Sequence, residues 1–343
     1  MTAAPVSNHL DSRQPRFGFL LQPEFPMNAL IVATEALRIA NQNSGRTIFE
    51  WQMISDAARP VRASNGMWVP ADYGLADFRR CDVLVVLEGN LPTQNVSPAI
   101  RGALRNAFRH GSMIVGVDTG AFAIAAAGLM GNREAVVHWE AVPAYMEHFP
   151  GARTCSQIFS IEGQLAFCAG GVATLDLVLA LIGRLAGQAL AREVANALVH
   201  TPREDIHPQR LDDGHDERDH QSLSQRTVSL MESNLDFPLS SSEIAAILSI
   251  SVRTLERCCV REFNQSPGQL YLRLRLQAAR NLLFYEESPI QAVAVACGFS
   301  YPSVFSRAFT AQFGQSPRAF RKALRQRQRA IRPEIVRMSD GQI

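Results

Sequence analysis

The sequence has six cysteines but no Cys-x-x-Cys pair, no apolar run long enough to cross a bilayer, and no basic start leading into an apolar stretch. Each lack excludes a class. Disulfide frameworks and zinc ribbons need closely spaced pairs, so Cys81, Cys155, Cys168, Cys258, Cys259 and Cys297 are read as reduced, mostly buried thiols. Cys258 and Cys259 are adjacent, and on a helix one of them is expected to face the core. The longest apolar stretch, Leu175–Gly183, holds Asp176 and is followed by Arg184. A bilayer needs about 20 apolar residues, so no membrane span is expected. With no secretory signal visible in the first fifteen residues, the expected location is the cytoplasm. Neither a cofactor nor a bound metal is expected. A composition of 47% hydrophobic and 19% charged residues excludes a chain disordered throughout.

At about 150 residues per domain, 343 residues suggest two domains. The net charge of +2 hides a split: residues 221–343 hold 16 Lys and Arg against 9 Asp and Glu, leaving residues 1–220 with 18 against 23. A basic C-terminal third on an acidic remainder suggests a polyanion-binding module joined to a domain of another kind.

In the acidic part, short apolar runs alternate with helical periodicity. Arg16–Leu21, Phe49–Ile54, Asp82–Leu87 and Met113–Val117 read as strands. Asn28–Ala40, Ser97–Arg109 and Ala121–Leu129 read as helices. Gln157–Ile161 and Gln164–Cys168 read as a β-hairpin about Glu162-Gly163. Helices over Thr174–Leu185 and Ala189–Val199 close the unit. This alternation predicts an α/β fold with a doubly wound, flavodoxin-like sheet. In such sheets ligands sit beyond the carboxyl ends of the strands, which here are Gln22–Asn28, Glu88–Leu91 and Asp118–Gly120. Glu24 and Phe25 in the first segment, and Asp118 and Thr119 in the third, are candidate ligand residues. Gly116-Val-Asp118-Thr-Gly120 places a polar side chain on a tight strand-to-helix turn between two glycines, as in a nucleophile elbow.

The elbow, Gly120–Met130, Arg133, His138-Trp139 and Gly170-Gly171 resemble the class I glutamine amidotransferase-like superfamily of PfpI type, over roughly residues 16–200. That family places Cys in the elbow, and here Asp118 stands in its place. The acidic residue that assists the Cys in many relatives would fall near Asn28–Ala29, and neither is acidic. The family's hydrolase and amidotransferase activities are therefore not carried over. Three readings of Asp118 stay open: a carboxylate nucleophile with His138 as its base, a binding group for a cationic ligand, and an N-cap for the following helix. His138 and Trp139 are the further candidates for the ligand site, since an aromatic wall beside Asp118 suits an ammonium or guanidinium group.

Pro202–His220 mixes histidine and carboxylates but fits no standard metal spacing, and reads as a solvated acidic linker. Beyond it lies a repeat. Phe263-Asn-Gln-Ser266-Pro267 recurs fifty residues later as Phe313-Gly-Gln-Ser316-Pro317. Ser240 with Glu243 predicts a capping box. Ser288-Pro289 with Gln291 predicts an N-cap, a Pro at the first helical position and a second box. Each unit then reads as a short apolar helix, a tight turn (Ser249 or Gly298) and a second helix, that is, a helix-turn-helix. Pro267–Tyr285 is an amphipathic helix between the units. Such helices fit the DNA major groove, two units on a rigid connector can enter successive grooves about 34 Å apart, and the positive charge attracts phosphates.

Over roughly 222–325 the residues resemble the AraC/XylS family of transcriptional regulators. The match is carried by Tyr271-Leu-Arg-Leu-Arg275, Ala279-Arg280-Asn-Leu-Leu283, Ala296-Cys-Gly298-Phe299-Ser-Tyr-Pro302-Ser303-Val-Phe305-Ser306-Arg307-Ala-Phe309 and Phe313–Arg321. The resemblance implies DNA contacts from Arg253, Thr254, Glu256 and Arg257 in the first recognition helix, and from Ser303, Ser306 and Arg307 in the second. Phe299, Phe305, Phe309 and Phe313 are read as core. Arg321, Lys322, Arg325, Arg327 and Arg329 form a basic tail that either touches phosphates or is solvated.

The expected organisation is a disordered N-terminus (1–15), a PfpI-like sensor domain (16–200), an acidic linker (201–221), an all-α domain of two helix-turn-helix motifs (222–325) and a basic tail (326–343). The expected function is a transcription factor, an activator, that binds promoter DNA as a homodimer and acts with RNA polymerase. Its non-catalytic N-terminal domain would bind a small cationic metabolite, an amino acid or a quaternary amine. The alternative is a hydrolase or amidotransferase-like enzyme using Asp118, with a DNA-binding appendage.

Overall fold

The computed structural model describes residues 14–89, 96–205, 207–209, 222–285 and 288–326. The expected N-terminal arm up to residue 13, the linker residues 206 and 210–221, and the tail from residue 327 lie outside the described residues.

The apolar runs of the first half become a seven-stranded sheet of order β10-β11-β7-β6-β1-β2-β5. Its strands are β1 (Arg16–Leu21), β2 (Glu50–Ser55), β5 (Tyr73–Gly74), β6 (Val83–Glu88), β7 (Met113–Asp118), β10 (Phe159–Glu162) and β11 (Leu165–Cys168). All neighbours pair parallel except β10 with β11, which form the expected hairpin. The central run β2-β1-β6-β7-β11 is the doubly wound order anticipated from the sequence. β6 is buried along its whole length, because a parallel sheet is covered on both faces.

Alternation along the strands assigns the faces. Phe17, Phe19, Val83, Val85, Leu87, Val115 and Val117 pack with helices α1 (Met27–Asn43), α5 (Ala173–Ala186) and α6 (Gln188–Ala197). Leu20, Leu84, Val86 and Ile114 pack with α2 (Pro98–Arg109) and α3 (Gly120–Ala126) on the other face. By the same period of two, Glu88 and Asp118 belong to this second face. The short pairs β3 (Val61–Arg62) with β4 (Trp68–Val69) and β8 (Glu134–Val136) with β9 (Arg153–Cys155), and helix α4 (Val142–His148), have no strong periodicity and were not anticipated.

The C-terminal helices are α7 (Leu223–Glu232), α8 (Ser241–Ile247), α9 (Val252–Phe263), α10 (Pro267–Tyr285), α11 (Ile290–Ala296) and α12 (Pro302–Phe313), with further helix over 317–326. The capping box at Ser240 and Glu243 is present. Both tight turns are left-handed: Ser249 has φ 56° and Gly298 φ 72°. A Cβ on Gly298 would stand 2.5 Å from the Leu235 carbonyl oxygen, so close approach as well as φ requires glycine there. Phe299, Phe305 and Phe309 are buried in an edge-on stack, as expected.

One expectation is corrected. Ser288 does not cap α11, whose N-cap is Pro289 with no side-chain bond. The Ser288 hydroxyl instead donates to Glu147 Oε1 at 3.4 Å. Residues 201–205, the start of the linker, are exposed, and Arg203 tethers them to the N-terminal half. Asp176 is buried, and His200 Nε2 (2.7 Å), Arg203 Nε (3.0 Å) and Arg203 Nη2 (2.7 Å) bind its carboxylate, because a buried carboxylate requires such partners. Gln209 in turn donates to the Val137 and Gln157 carbonyls. On α9, Cys259 faces the core cluster as expected, and Cys258 beside it is also buried. No helix among the described residues is long and apolar enough to cross a membrane.

Candidate functional site

The structure presents two sites: a surface formed by α9 and α12, and a carboxyl cluster at the ends of β6 and β7.

α9 starts at Ser251, whose hydroxyl accepts the Thr254 N–H at 3.1 Å. Arg253, Glu256 and Arg257 are exposed along one side. Thr254 is half-buried and its hydroxyl lies 2.8 Å from Ser251 Oγ, so it is engaged in the cap. On α12, Ser303 and Arg307 are exposed and Ser306 is half-buried. Sequence reasoning missed Tyr301 (69% exposed) and Val304 (43%) at the start of α12, and Val252 (39%) at the start of α9. Exposed apolar groups beside arginines suit thymine methyls in a groove. Helical spacing offered the signal, since Val304 is one turn from Arg307.

α10 holds the segment ahead of the first motif and the turn of the second. Tyr271 donates its hydroxyl to the Asn234 carbonyl at 2.6 Å and accepts the Leu239 N–H at 3.3 Å, ahead of the first motif. One helical turn on, Arg275 donates to the carbonyls of Cys297 (2.8 Å) and Gly298 (2.6 Å), and its guanidinium lies 4.1 Å from the Phe299 ring centroid. Burial lowers the Arg275 pKa from its ordinary value. The tail residue Arg321 donates to the Ser288 carbonyl, a structural contact, while Lys322 is exposed.

The second site is built by close backbone approach. Gly120 lies against the Val86 carbonyl and Gly89 against the Glu24 carbonyl, with no room for a Cβ at either. The Thr119 hydroxyl donates to the Gly89 carbonyl at 2.7 Å and the residue is fully buried. Thr119 therefore staples the two loops, and its hydroxyl is spent there. Asp118 adopts φ 62°, a left-handed conformation unusual for any residue but Gly, Asn or Asp. It does not cap the helix as one reading held: the N-cap of α3 is Thr119, without a side-chain bond. Asp118 is one residue too early. The Asp118 carbonyl accepts the His138 N–H at 3.3 Å, which brings His138 and Trp139 to the elbow as expected. Their rings lie 5.8 Å apart, and both residues are half-buried. Glu24 is buried at the neighbouring strand end. Phe25 is not a wall of this cleft but a fully buried core residue in the cluster around α1.

The electrostatics follow from burial. Asp118 keeps a partly exposed edge, but protein surrounds its carboxyl, and burial with the Glu140 charge pushes its pKa up to about 7. Burial lowers the pKa of His138, against the opposing pull of Glu140. Glu88 is paired in register with Asp118, and burial together with the Asp118 charge holds its carboxyl well above the usual range. Among the described residues no cluster of three or more potential ligands could hold a metal ion.

Tyr285, the last residue of α10, was not anticipated here. It is buried beside Glu140, and burial and then the charges of Asp118 and Glu140 raise its pKa. Leu276, Ala279, Leu282, Leu283 and Tyr285 of α10 share one apolar cluster with Ala141, Ala144 and Tyr145 around α4. The connecting helix of the C-terminal half thus packs beside the carboxyl cluster of the N-terminal half.

The chain matches the helix-turn-helix domain family over residues 244–323. It is 36% identical over 320 residues to the HTH-type transcriptional regulator CdhR of Pseudomonas aeruginosa, covering 90% of this chain and 92% of that protein. Among solved structures, it resembles an AraC family transcriptional regulator from Pseudomonas putida (25% identity, TM-score 0.50, 54% of this chain and 99% of that one). It also shares the fold of a ThiJ/PfpI family protein from Pseudomonas syringae (15% identity, TM-score 0.50, 79% and 97%).

Proposed function

This chain belongs to the AraC-type HTH transcriptional regulators, and from that premise we propose how it reads DNA and what it senses. The C-terminal half, 222–325, binds promoter DNA through α9 and α12. The observation that carries this is the pair of exposed, arginine-bearing helices fixed to one connector by Tyr271 and Arg275. Arg253, Arg257 and Arg307 suit guanine O6 and N7, Glu256 suits cytosine N4, and Val252 and Val304 suit thymine methyls. α10 has 19 residues. At about 1.5 Å per residue it spans about 28 Å, close to the groove repeat of about 34 Å.

The N-terminal half, 16–200, is a non-catalytic sensor joined by the linker 201–221. Asp118 occupies the elbow where PfpI-type enzymes place Cys, and with Trp139, His138 and Glu24 it binds the cationic group of a small metabolite. Tyr285 carries the signal, because it packs α10 beside the same carboxyl cluster. The protein acts in the cytoplasm as a homodimeric activator with RNA polymerase.

A thermal-shift screen of the full chain against amino acids, polyamines, betaines and carnitine tests the sensor. A ligand that binds only the folded state raises the melting temperature. The expected result is a shift with a cationic metabolite that Asp118→Ala abolishes. A shift that survives Asp118→Ala would overturn the placement of the site.

A further inference from the structure

We infer that Glu88 is the second carboxyl of the ligand site and that it restricts the ligand to cations carrying N–H donors: primary ammonium, amidinium or guanidinium groups. This rests on the reading of Asp118 as the ligand carboxyl and deepens it.

Glu88 ends a strand whose other residues are apolar, Val83-Leu-Val-Val-Leu87. A sixth apolar residue would continue that pattern. Instead a carboxyl is buried with no exposed surface, beside Asp118 on the same face of the sheet. Neither of its oxygens has a hydrogen-bond partner among the described residues. The contrast with Asp176 is informative. That carboxylate, equally buried, is met by His200 Nε2 and three N–H groups of Arg203. The fold satisfies a buried carboxyl where it serves structure, while Glu88, at a strand end beside Asp118, has no donor among the described residues. A buried acceptor without a donor is costly, and a ligand that brings donors removes that cost.

The missing chemistry selects the ligand. A quaternary ammonium offers charge and methyl groups, so it can stand over Trp139 but donates nothing to Glu88. A primary ammonium has three donors and a guanidinium five, in a planar fork that matches a carboxylate. Burial and the Asp118 charge push the Glu88 carboxyl toward its neutral form, and a cation placed beside it favours the ionised form.

The test is calorimetry on the full chain with a matched pair, n-butylammonium and n-butyltrimethylammonium, and with methylguanidinium. The expected result is that the two N–H cations bind at least tenfold more tightly than the trimethyl compound. Glu88→Leu, checked for native circular dichroism, should erase that preference, and Glu88→Gln should retain part of it. Equal or tighter binding of the trimethyl compound would overturn the role of Glu88 while leaving a cationic site standing. So would a preference that survives Glu88→Leu. If the leucine variant does not fold, the wild-type comparison of the matched pair decides alone. Binding of none of the three cations would overturn the cationic reading of Asp118, and this inference with it.

Discussion

Single residues carry strain or charge that can be tested directly. Ser249 holds φ 56° in the first turn where Gly298 holds 72° in the second. A left-handed conformation costs a side-chain-bearing residue about 1 kcal/mol, so Ser249→Gly should raise the unfolding free energy by roughly that amount in urea melts. Gly298→Ala should do the reverse and by more, because its Cβ would meet the Leu235 carbonyl as well. Asp118 makes a pH-dependent prediction. Its pKa is near 7 in the folded protein against an ordinary 3.8. A carboxyl with a raised folded pKa favours the folded state fully below its unfolded value, and that advantage is lost as pH rises through 7. Asp118→Asn should therefore gain stability relative to the parent between pH 5 and pH 8, with the melting-temperature difference widening as pH rises. A difference that stays constant over that range would remove the buried charge from the account.

At the scale of elements, α10 decides whether two helix-turn-helix units act as one reader. Arg275 binds the Cys297 and Gly298 carbonyls and stacks on Phe299. Arg275→Met keeps much of the length but strands both carbonyls, at a cost of about 2 kcal/mol. Denaturant melts should report that loss, and footprinting should show protection weakened on the half-site read by α12. The recognition helices separate two kinds of contact. Arg307→Ala should weaken binding by about 1–3 kcal/mol and relax specificity at one base pair. Lys322→Ala should weaken binding uniformly across sequences and lower the salt slope by about one. Competition binding at several salt concentrations distinguishes them, and the same behaviour from both variants would refute the assignment of Arg307 to a base.

At the scale of the molecule, the two halves meet through α10 and α4. Tyr285→Phe removes the hydroxyl beside the Glu140 carboxylate but keeps the apolar packing with Ala141, Ala144 and Tyr145. A polar contact to a charged group contributes about 1.5 kcal/mol net, which is about tenfold in an opening equilibrium. Amide exchange over Trp139–His148 should accelerate by about that factor, with the recognition helices unaffected. Unchanged exchange would mean that apolar packing alone holds the halves together, and the route from sensor to DNA would lie elsewhere.

The sequence by itself determined the architecture of each half. The continuous apolar runs Asp82–Leu87 and Met113–Val117 marked the sheet, the Phe-x-Gln-Ser-Pro repeat marked two equivalent helical units, and Gly116–Gly120 marked the elbow. These are local signals, because strand and helix periods repeat within a few residues. The short strands β3, β4, β8 and β9 lack such a period and were not legible. Asp118, His138 and Trp139 could be grouped from the chain, and Glu88 fell in a strand-end segment where ligands are expected. Its burial beside Asp118 was not legible, and Tyr285 read only as the end of an amphipathic helix. Only the tertiary structure decided that one is sealed beside Asp118 and the other packed beside Glu140. Burial and long-range contact create both roles, since a carboxyl acquires a raised pKa or a missing partner only from what the fold packs around it.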